Sequence, residues 1–196
     1  IAAAEQAVRY LIAAGHRRIG IVAELVDQES DGLDGFLARA VAGDPIESET
    51  LYPSWQRLLG YIRAHRIEGL PVDPRLTIRA GGYSASAAQA ALPRLMKVPD
   101  PPTALFTTDG TMSEGAMRGL SELKLSIPED LSIICFDDLD WMSFHRPGIT
   151  TIAQPRLAMG EAAARMLLER IHGEDYPPRT VLMPAELIER GSVAPL

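Results

Sequence analysis

Residues 131–138, Leu-Ser-Ile-Ile-Cys-Phe-Asp-Asp, form an apolar run that ends abruptly in two carboxylates. A short continuous apolar run rich in β-branched residues is typical of a strand that is buried on both faces of a parallel sheet. Comparable runs occur at 18–23, 76–79, 104–107 and 149–152, and stretches with helical periodicity separate them. This alternation predicts βαβ units, and therefore an α/β fold with a mainly parallel sheet and helices on both faces.

The segments between the predicted strands divide into clear helices and less regular stretches. Helices are predicted at 1–14, 54–65, from 84 onward, at 111–123 and at 156–171. Pro93 is expected to kink or end the helix that begins near Ser84, and the Thr111–Glu114 spacing predicts a capping box. The less regular segments are a loop with one short helix at 24–53, a loop at 137–148, and late strands at 180–183 and 187–188.

The composition limits the possible functions. The chain has 196 residues, a net charge of −7 and a single cysteine, Cys135. One cysteine excludes a disulfide framework, and its place within a strand predicts a buried structural thiol. No apolar run approaches the roughly 20 residues that span a bilayer, so no membrane partner is expected. An acidic chain lacks the clustered Lys and Arg that strong binding to a nucleic-acid backbone requires.

Polar residues follow three of the predicted strands. They are Tyr83, Thr108, Asp109, Asp137 and Asp138. Because ligands of open parallel sheets bind outside the carboxyl ends of the strands, these residues predict a binding site at one edge of the sheet. Two alternatives remain open at this point: loops after strands are polar in any case, and Asp109 could simply cap the next helix.

Motifs for catalysis are missing from the sequence. Neither G-x-G-x-x-G nor the phosphate-binding P-loop occurs. Residues 82–86 lack the second glycine of a nucleophile elbow, so Ser84 or Ser86 is interpreted as a helix cap. The four histidines share no metal-binding spacing. The sequence therefore predicts no catalytic residue, no cofactor and no metal, although the pair Asp137-Asp138 leaves either a magnesium site or a polyol site open.

Five blocks of sequence occur in the order in which LacI/GalR-type transcription regulators carry them. They are GHRRIG at 15–20, PTALF at 102–106, IPEDLSIICFDD at 127–138, TTIAQP at 150–155 and MPAELIERGS at 183–192. The chain resembles that family over nearly its whole length. In the second block, which reads P-T-A-I-F-x-x-N-D in the family, Thr108-Asp109 stands for the Asn-Asp pair. Cys135 departs from the family pattern, which has glycine there.

The resemblance implies a two-lobed core like that of a periplasmic binding protein, with mainly parallel sheets and an incomplete N-terminal lobe. The implied division assigns 1–23 to the N-terminal lobe, 24–154 to the C-terminal lobe, 155–176 to a return into the N-terminal lobe and 177–196 to a return into the C-terminal lobe. The DNA-binding headpiece of the family is expected to be absent from this chain. The stretch from Glu24 to Gln56 is roughly twenty residues longer than the resemblance leads us to expect.

The resemblance also implies which residues bind an effector. Those residues are Arg57, Tyr83, Thr108, Asp109, Asp137 and Gln154, with Trp141 as a further candidate for which core packing is an equal alternative. Carboxylates that accept from hydroxyls, a guanidinium that donates and a flat aromatic face suit a sugar-like molecule. A purine remains the alternative effector, because an aromatic ring could stack on a base.

The function implied is that of a ligand-responsive, DNA-binding transcription regulator in the cytoplasm. It is expected to act as a homodimer and to contact DNA through the headpiece. Two other classes remain open from the sequence. A periplasmic sugar-binding protein for transport shares the fold, and a small α/β enzyme could use Asp137 or Asp109.

Overall fold

The computed structural model describes residues 1–173 and 176–196. The strands are β1 (Ile19–Ala23), β2 (Thr77–Arg79), β3 (Ala104–Thr107), β4 (Ser132–Phe136), β5 (Thr150–Ala153) and β6 (Glu186–Ile188). The α-helices are α1 (Ala2–Ala13), α2 (Gly32–Ala42), α3 (Pro53–Ile67), α4 (Ala85–Met96), α5 (Gly110–Glu122), α6 (Asp140–Phe144) and α7 (Arg156–Ile171).

All six strands belong to one sheet with the order β2-β1-β3-β4-β5-β6. The first five strands are parallel, and β6 runs antiparallel to β5. In the register of β1 and β3, Val22 lies beside Thr107. This arrangement confirms the predicted α/β class with a mainly parallel sheet.

Side chains of the central strands alternate between two apolar layers, one on each face of the sheet. In β3, Phe106 points into a layer formed with α1, α2 and α3, whereas Leu105 points into a layer formed with α4 and α5. Cys135 lies fully buried in the second layer. Each large side chain buried in this way stabilises the fold by roughly 1.5–3 kcal/mol. Helices therefore cover both faces, as the uninterrupted apolar runs predict.

Several local predictions need correction. Of the two expected effects of Pro93, an end of the helix is wrong, since α4 continues to Met96; Leu92 and Leu95 are completely buried and offset the hydrogen bond that proline cannot donate. Helix α5 begins at Gly110 with Asp109 as its cap, so the predicted capping box from Thr111 is wrong. The loop predicted at 137–148 contains α6, and the strand predicted at 180–183 does not form.

The sheet also corrects the predicted lobe boundary at residue 23. Strand β1 lies between β2 and β3, and α1 packs against α3, so residues 1–23 are part of the same body as residues 24–153. Helix α7 differs from the other long helices, because none of its residues is buried. After α7, β6 pairs with β5 and brings the chain back to this sheet.

Across residues 1–173 and 176–196, no helix combines the length and the apolar character needed to cross a membrane.

Candidate functional site

The site lies at the carboxyl ends of β1 and β3, where the winding of the sheet reverses. From β1 the chain crosses to β2 at one edge and then returns past β1 to β3. The connecting helices α3 and α4 cover opposite faces of the sheet. Such a switch point leaves a crevice outside the strand ends, which is where ligands bind in open α/β sheets.

Arg57 reaches this crevice from α3. Its Nη1 donates to the carbonyl oxygen of Thr108 at 2.6 Å, and its guanidinium carbon lies 4.0 Å from the centre of the Phe136 ring. Burial lowers the pKa of Arg57, while the charges of Asp137 and Asp109 oppose that shift. The guanidinium is thus held on two sides, and its fixed fork of donors leaves N–H groups available for an oxygen-bearing ligand.

Asp137 connects three elements at the strand ends. Its backbone has a φ of 73°, a left-handed conformation that is uncommon for residues other than glycine. Its Oδ1 accepts a hydrogen bond from the side-chain amide of Gln154, and its Oδ2 accepts one from the backbone N–H of Gly110 at 3.3 Å. The structure therefore brings the predicted residues Asp137 and Gln154 together. Strained conformations of this kind are concentrated at functional sites.

Asp109 acts as the cap of α5. Its Oδ1 accepts from the backbone N–H groups of Thr111 and Met112 at 2.9 and 3.0 Å. Burial raises the pKa of Asp109, although these hydrogen bonds and the charge of Arg57 oppose the shift. The capping alternative is therefore correct, and the carboxylate still lies close enough to Arg57 to interact with it electrostatically.

Thr108 enters the site through its backbone rather than its side chain. The residue is completely buried, and its hydroxyl bonds to the carbonyl of Val22 and to Asp109, both at 3.4 Å. Its carbonyl positions Arg57. In the family pattern P-T-A-I-F-x-x-N-D, two positions lie between the phenylalanine and the Asn-Asp pair. Counted from Phe106, the pair therefore corresponds to Asp109 and Gly110 rather than to Thr108 and Asp109.

The two aromatic candidates behave differently. Tyr83 is 61% exposed and lies directly before Ser84, the cap of α4. Its ring is therefore open to a ligand at this edge. Trp141 does not join the group, because it lies on α6 beside His145 in a separate groove of about 500 Å³ against α5. Core packing, the alternative for Trp141, fits its contacts with the apolar layer around α5.

Glu24 is a site residue that the sequence reasoning missed. It follows β1 directly, and the side chain is 8% exposed. Burial raises its pKa, and the charge of Asp109 raises it further. Its position in the sequence could have identified it, because Glu24 directly follows the strand predicted at 18–23, just as Asp137 directly follows the strand predicted before it.

The carboxylate of Asp138 binds Arg190 and Thr151 and does not belong to the site. Its two carboxylate oxygens accept from Nη1 and Nη2 of Arg190 at 2.7 and 3.0 Å, and the hydroxyl of Thr151 also donates to it. These hydrogen bonds, led by that from Arg190, lower the pKa of Asp138. Within residues 1–173 and 176–196, no three His, Cys, Asp or Glu side chains are grouped so that they could hold a metal ion.

Comparison with known proteins gives a consistent result. The family model of the periplasmic binding protein-like domain matches residues 8–193. The transcriptional repressor CytR of Escherichia coli strain K12 is 37% identical over 196 residues, which are 100% of this chain and 50% of that protein. A probable opine utilization operon repressor of Rhizobium rhizogenes is 35% identical over 193 residues, which cover 98% of this chain and 89% of that protein.

Solved structures agree with these matches. A LacI family regulator from Enterococcus faecium with bound ribose has a TM-score of 0.76 and 26% identity, and the match covers 98% of this chain and 62% of that one. The complex of the transcriptional regulator CelR with cellobiose has a TM-score of 0.73 and 28% identity, with 96% and 50% of the two chains covered.

The fold, the crevice at the switch point and these matches define a ligand-binding α/β domain of the periplasmic-binding-protein type. The chain belongs to the periplasmic binding protein-like domain family, as the effector-binding core of a LacI-family regulator. The relatives named above are transcription regulators rather than transport proteins or enzymes. The chain spans half the length of CytR.

Proposed function

We propose that this chain is the effector-sensing part of a ligand-responsive transcription regulator. The observation that carries the proposal is the group formed by Arg57, Asp109, Asp137, Gln154 and Tyr83 at the carboxyl-end crevice. Such a mixture of donors, acceptors and one open aromatic face is suited to orienting a small polar molecule.

The effector that best fits this group is a hydroxylated molecule. Asp137 and Asp109 supply acceptors for hydroxyl groups, Arg57 supplies donors, and Tyr83 supplies a face for C–H groups. Related structures hold ribose and cellobiose, which supports a sugar-like effector. A relative with 30% identity is named as the repressor PurR of Vibrio atlanticus, so a purine remains the second candidate.

The ligand site is proposed to lie between this body and a second lobe. Apolar side chains on α7 are exposed, among them Leu157, Leu167 and Ile171, which are 78%, 60% and 66% exposed. We assign α7 to that second lobe, which would cover these residues, while 177–196 returns to the sheet. A ligand that touches both lobes would then shift the population between open and closed arrangements by its difference in affinity for the two.

DNA binding is assigned to a headpiece outside this chain, acting in a cytoplasmic homodimer. A net charge of −7 makes the sensing domain a poor partner for a phosphate backbone. The relatives CytR and the opine utilization repressor are named as transcription repressors, which supports operator binding as the output.

The test measures ligand binding and DNA binding on the intact regulator. Sugars, purines and organic acids are screened for a rise in melting temperature, because any ligand that prefers the native state raises it. A sugar or purine that raises the melting temperature should also change the affinity for the operator in a gel-shift assay. A ligand that binds tightly without any change in operator affinity contradicts the regulatory role, and stabilisation only by organic acids contradicts the assigned site chemistry.

A further inference from the structure

The start of α3 is bound by the loop that follows β1. The backbone N–H of Tyr52, the residue before the helix, donates to the side-chain oxygen of Gln28 at 2.6 Å. The carbonyl oxygen of Val26 accepts a hydrogen bond from the indole Nε1 of Trp55 at 2.8 Å. Arg57 lies on the same helix, two residues further along, so this loop fixes the part of α3 from which Arg57 reaches the crevice.

Helix α2 packs against the same part of α3. The ring of Phe36 meets the ring of Trp55 edge to face, with 4.8 Å between the ring centres, and both side chains are buried. The loop and α2 lie within the stretch 24–56, which is the stretch that exceeds the length expected from the family resemblance. The additional residues therefore contact α3 next to the crevice.

Asp27 binds the other side of the crevice. Its Oδ1 accepts a hydrogen bond from Nη2 of Arg79, the last residue of β2, at 2.6 Å. Tyr83 follows four residues later, after a turn that contains Gly81, with a φ of 85°, and Gly82. Because glycine restricts the backbone little, this turn depends on its ends for its position. Asp27 anchors the end that starts at β2.

Asp27 and Gln28 are adjacent in sequence, yet they bind two different sides of the crevice. The ion pair of Asp27 is a surface contact, since the two side chains are 91% and 39% exposed, and such pairs contribute little to stability. A ligand held between Arg57 and Tyr83 depends on the position of both. Groups that are already in place lose less entropy when the ligand binds.

We propose that Asp27 and Gln28 form a brace that holds Arg57 and Tyr83 in the relative position that the effector requires. Both are positioning residues, which act through Tyr83 and Arg57 respectively. This inference rests on the proposed function, and it assigns the additional stretch a role in preorganising the effector site. Breaking the brace should therefore weaken effector binding while the fold keeps its stability.

The experiment compares four variants of the intact regulator. Asp27→Asn and Gln28→Ala each break one side of the brace, and Asp27→Glu keeps the carboxylate. Glu114→Gln is the matched control, because it breaks an ion pair of the same exposed kind, with Arg118, on α5.

Mobility and binding are measured separately. Hydrogen exchange of the peptides that cover 53–57 and 80–84 is followed by mass spectrometry without ligand. Affinities for ribose, cellobiose and adenine are measured by calorimetry, and melting temperatures are recorded for every variant.

The expected result is a local loosening that lowers affinity. Gln28→Ala should speed exchange at 53–57 and Asp27→Asn at 80–84, and each should weaken the probe that binds roughly 2- to 12-fold, the cost of immobilising a side chain. Asp27→Glu should behave like the wild type. Asp27→Asn should melt at the same temperature as Glu114→Gln. In the Arg57→Ala background Gln28→Ala should weaken binding no further, because it acts through Arg57.

The outcomes separate the brace from the effector class. Unchanged exchange in both Asp27→Asn and Gln28→Ala overturns the brace, whether or not a probe binds. Faster exchange with unchanged affinity also overturns it, and so does an equal loss of affinity in Glu114→Gln. If none of the three probes binds while exchange changes as expected, the brace is supported and the sugar or purine effector of the proposed function is wrong.

Discussion

The guanidinium of Arg57 lies 4.0 Å from the ring centre of Phe136, the last residue of β4. A cation over an aromatic face is attracted by the electron density of the ring. The contact joins α3 to β4, and the carbonyl oxygen of Thr108 also accepts a hydrogen bond from Nη1 of Arg57. Arg57 is therefore held in position before any ligand binds, which reduces the entropy lost on binding.

Replacing Arg57 by alanine should weaken effector binding. A lost hydrogen bond to a charged partner costs about 1.5–3 kcal/mol, which corresponds to a roughly 10- to 150-fold loss of affinity. Calorimetry with the effector identified by the screen measures the change. Arg63→Ala, an exposed arginine on the same helix, is the control and should bind normally. Equal affinity of the wild type and Arg57→Ala would mean that Arg57 does not contact the ligand.

Phe136→Leu should weaken binding less than Arg57→Ala does. Leucine keeps an apolar side chain beneath the guanidinium but removes the aromatic face, which contributes about 0.5–2 kcal/mol. The expected loss of affinity is roughly 2- to 30-fold by the same titration. A larger effect than that of Arg57→Ala would indicate a general collapse of the site, and circular dichroism of the variant would detect it.

Much of the fold could be predicted from the sequence because its signals are local. The apolar runs that form β1, β3 and β4 are continuous and bounded by polar residues, so each strand is visible by itself. The lobe to which residues 1–23 belong could not be predicted in this way, because it depends on which strand pairs with β1. The strand predicted at 180–183 is wrong for the same reason, because a strand needs a partner strand. Leu182 is 90% exposed, and no strand lies beside this segment in the described residues.

The candidate site could be predicted only in part, for a related reason. Placement after a strand identified Asp109 and Asp137, since parallel strands bring their carboxyl ends to one edge. It could not show that the Thr108 side chain is buried or that Asp138 is held by Arg190, because both depend on tertiary contacts. Trp141 lies only four residues after Asp137, but α6 turns it towards another groove.

The ion pair between Asp138 and Arg190 should make stability depend on pH. The pKa of Asp138 is lowered in the folded protein, chiefly by the hydrogen bond from Arg190. Its contribution is therefore fully present above the unfolded value of about 3.9 and is lost as the pH falls through the lower folded value. Arg190→Gln should reduce the free energy of unfolding by about 1.5–3 kcal/mol at pH 7.

Urea denaturation at neutral and acidic pH measures that dependence. The difference between the wild type and Arg190→Gln should shrink as the pH falls below about 4. Arg118→Gln, which removes an exposed pair with Glu114, is the control and should cost no more than about 0.5 kcal/mol. A difference for Arg190→Gln that stays constant down to low pH would contradict a role for the Asp138 charge.

Cys135 should resist alkylation in the native protein. The thiol is fully buried, and burial raises its pKa to about 11. Because the thiolate is the reactive form, iodoacetamide at mildly alkaline pH should leave the peptide that contains Cys135 unmodified. The same reagent should modify it fully in denaturant, and mass spectrometry distinguishes the two states. Rapid modification under native conditions would show that β4 opens locally.

Gly115→Ala should destabilise the fold, although alanine is the better helix former. A Cβ at this position would lie 2.3 Å from the carbonyl oxygen of Ala85 and 2.5 Å from the Cβ of Ala88, where α5 crosses α4. The carbonyl oxygen belongs to the backbone and cannot turn aside, so the two helices must separate. Overpacking of this kind costs about 1–3 kcal/mol.

Ser121→Ala, on an exposed position near the end of α5, tests the propensity effect alone and should change stability by no more than about 0.5 kcal/mol. Both free energies of unfolding follow from urea denaturation. A Gly115→Ala protein as stable as Ser121→Ala would mean that α4 and α5 are not in the close contact on which the second apolar layer depends.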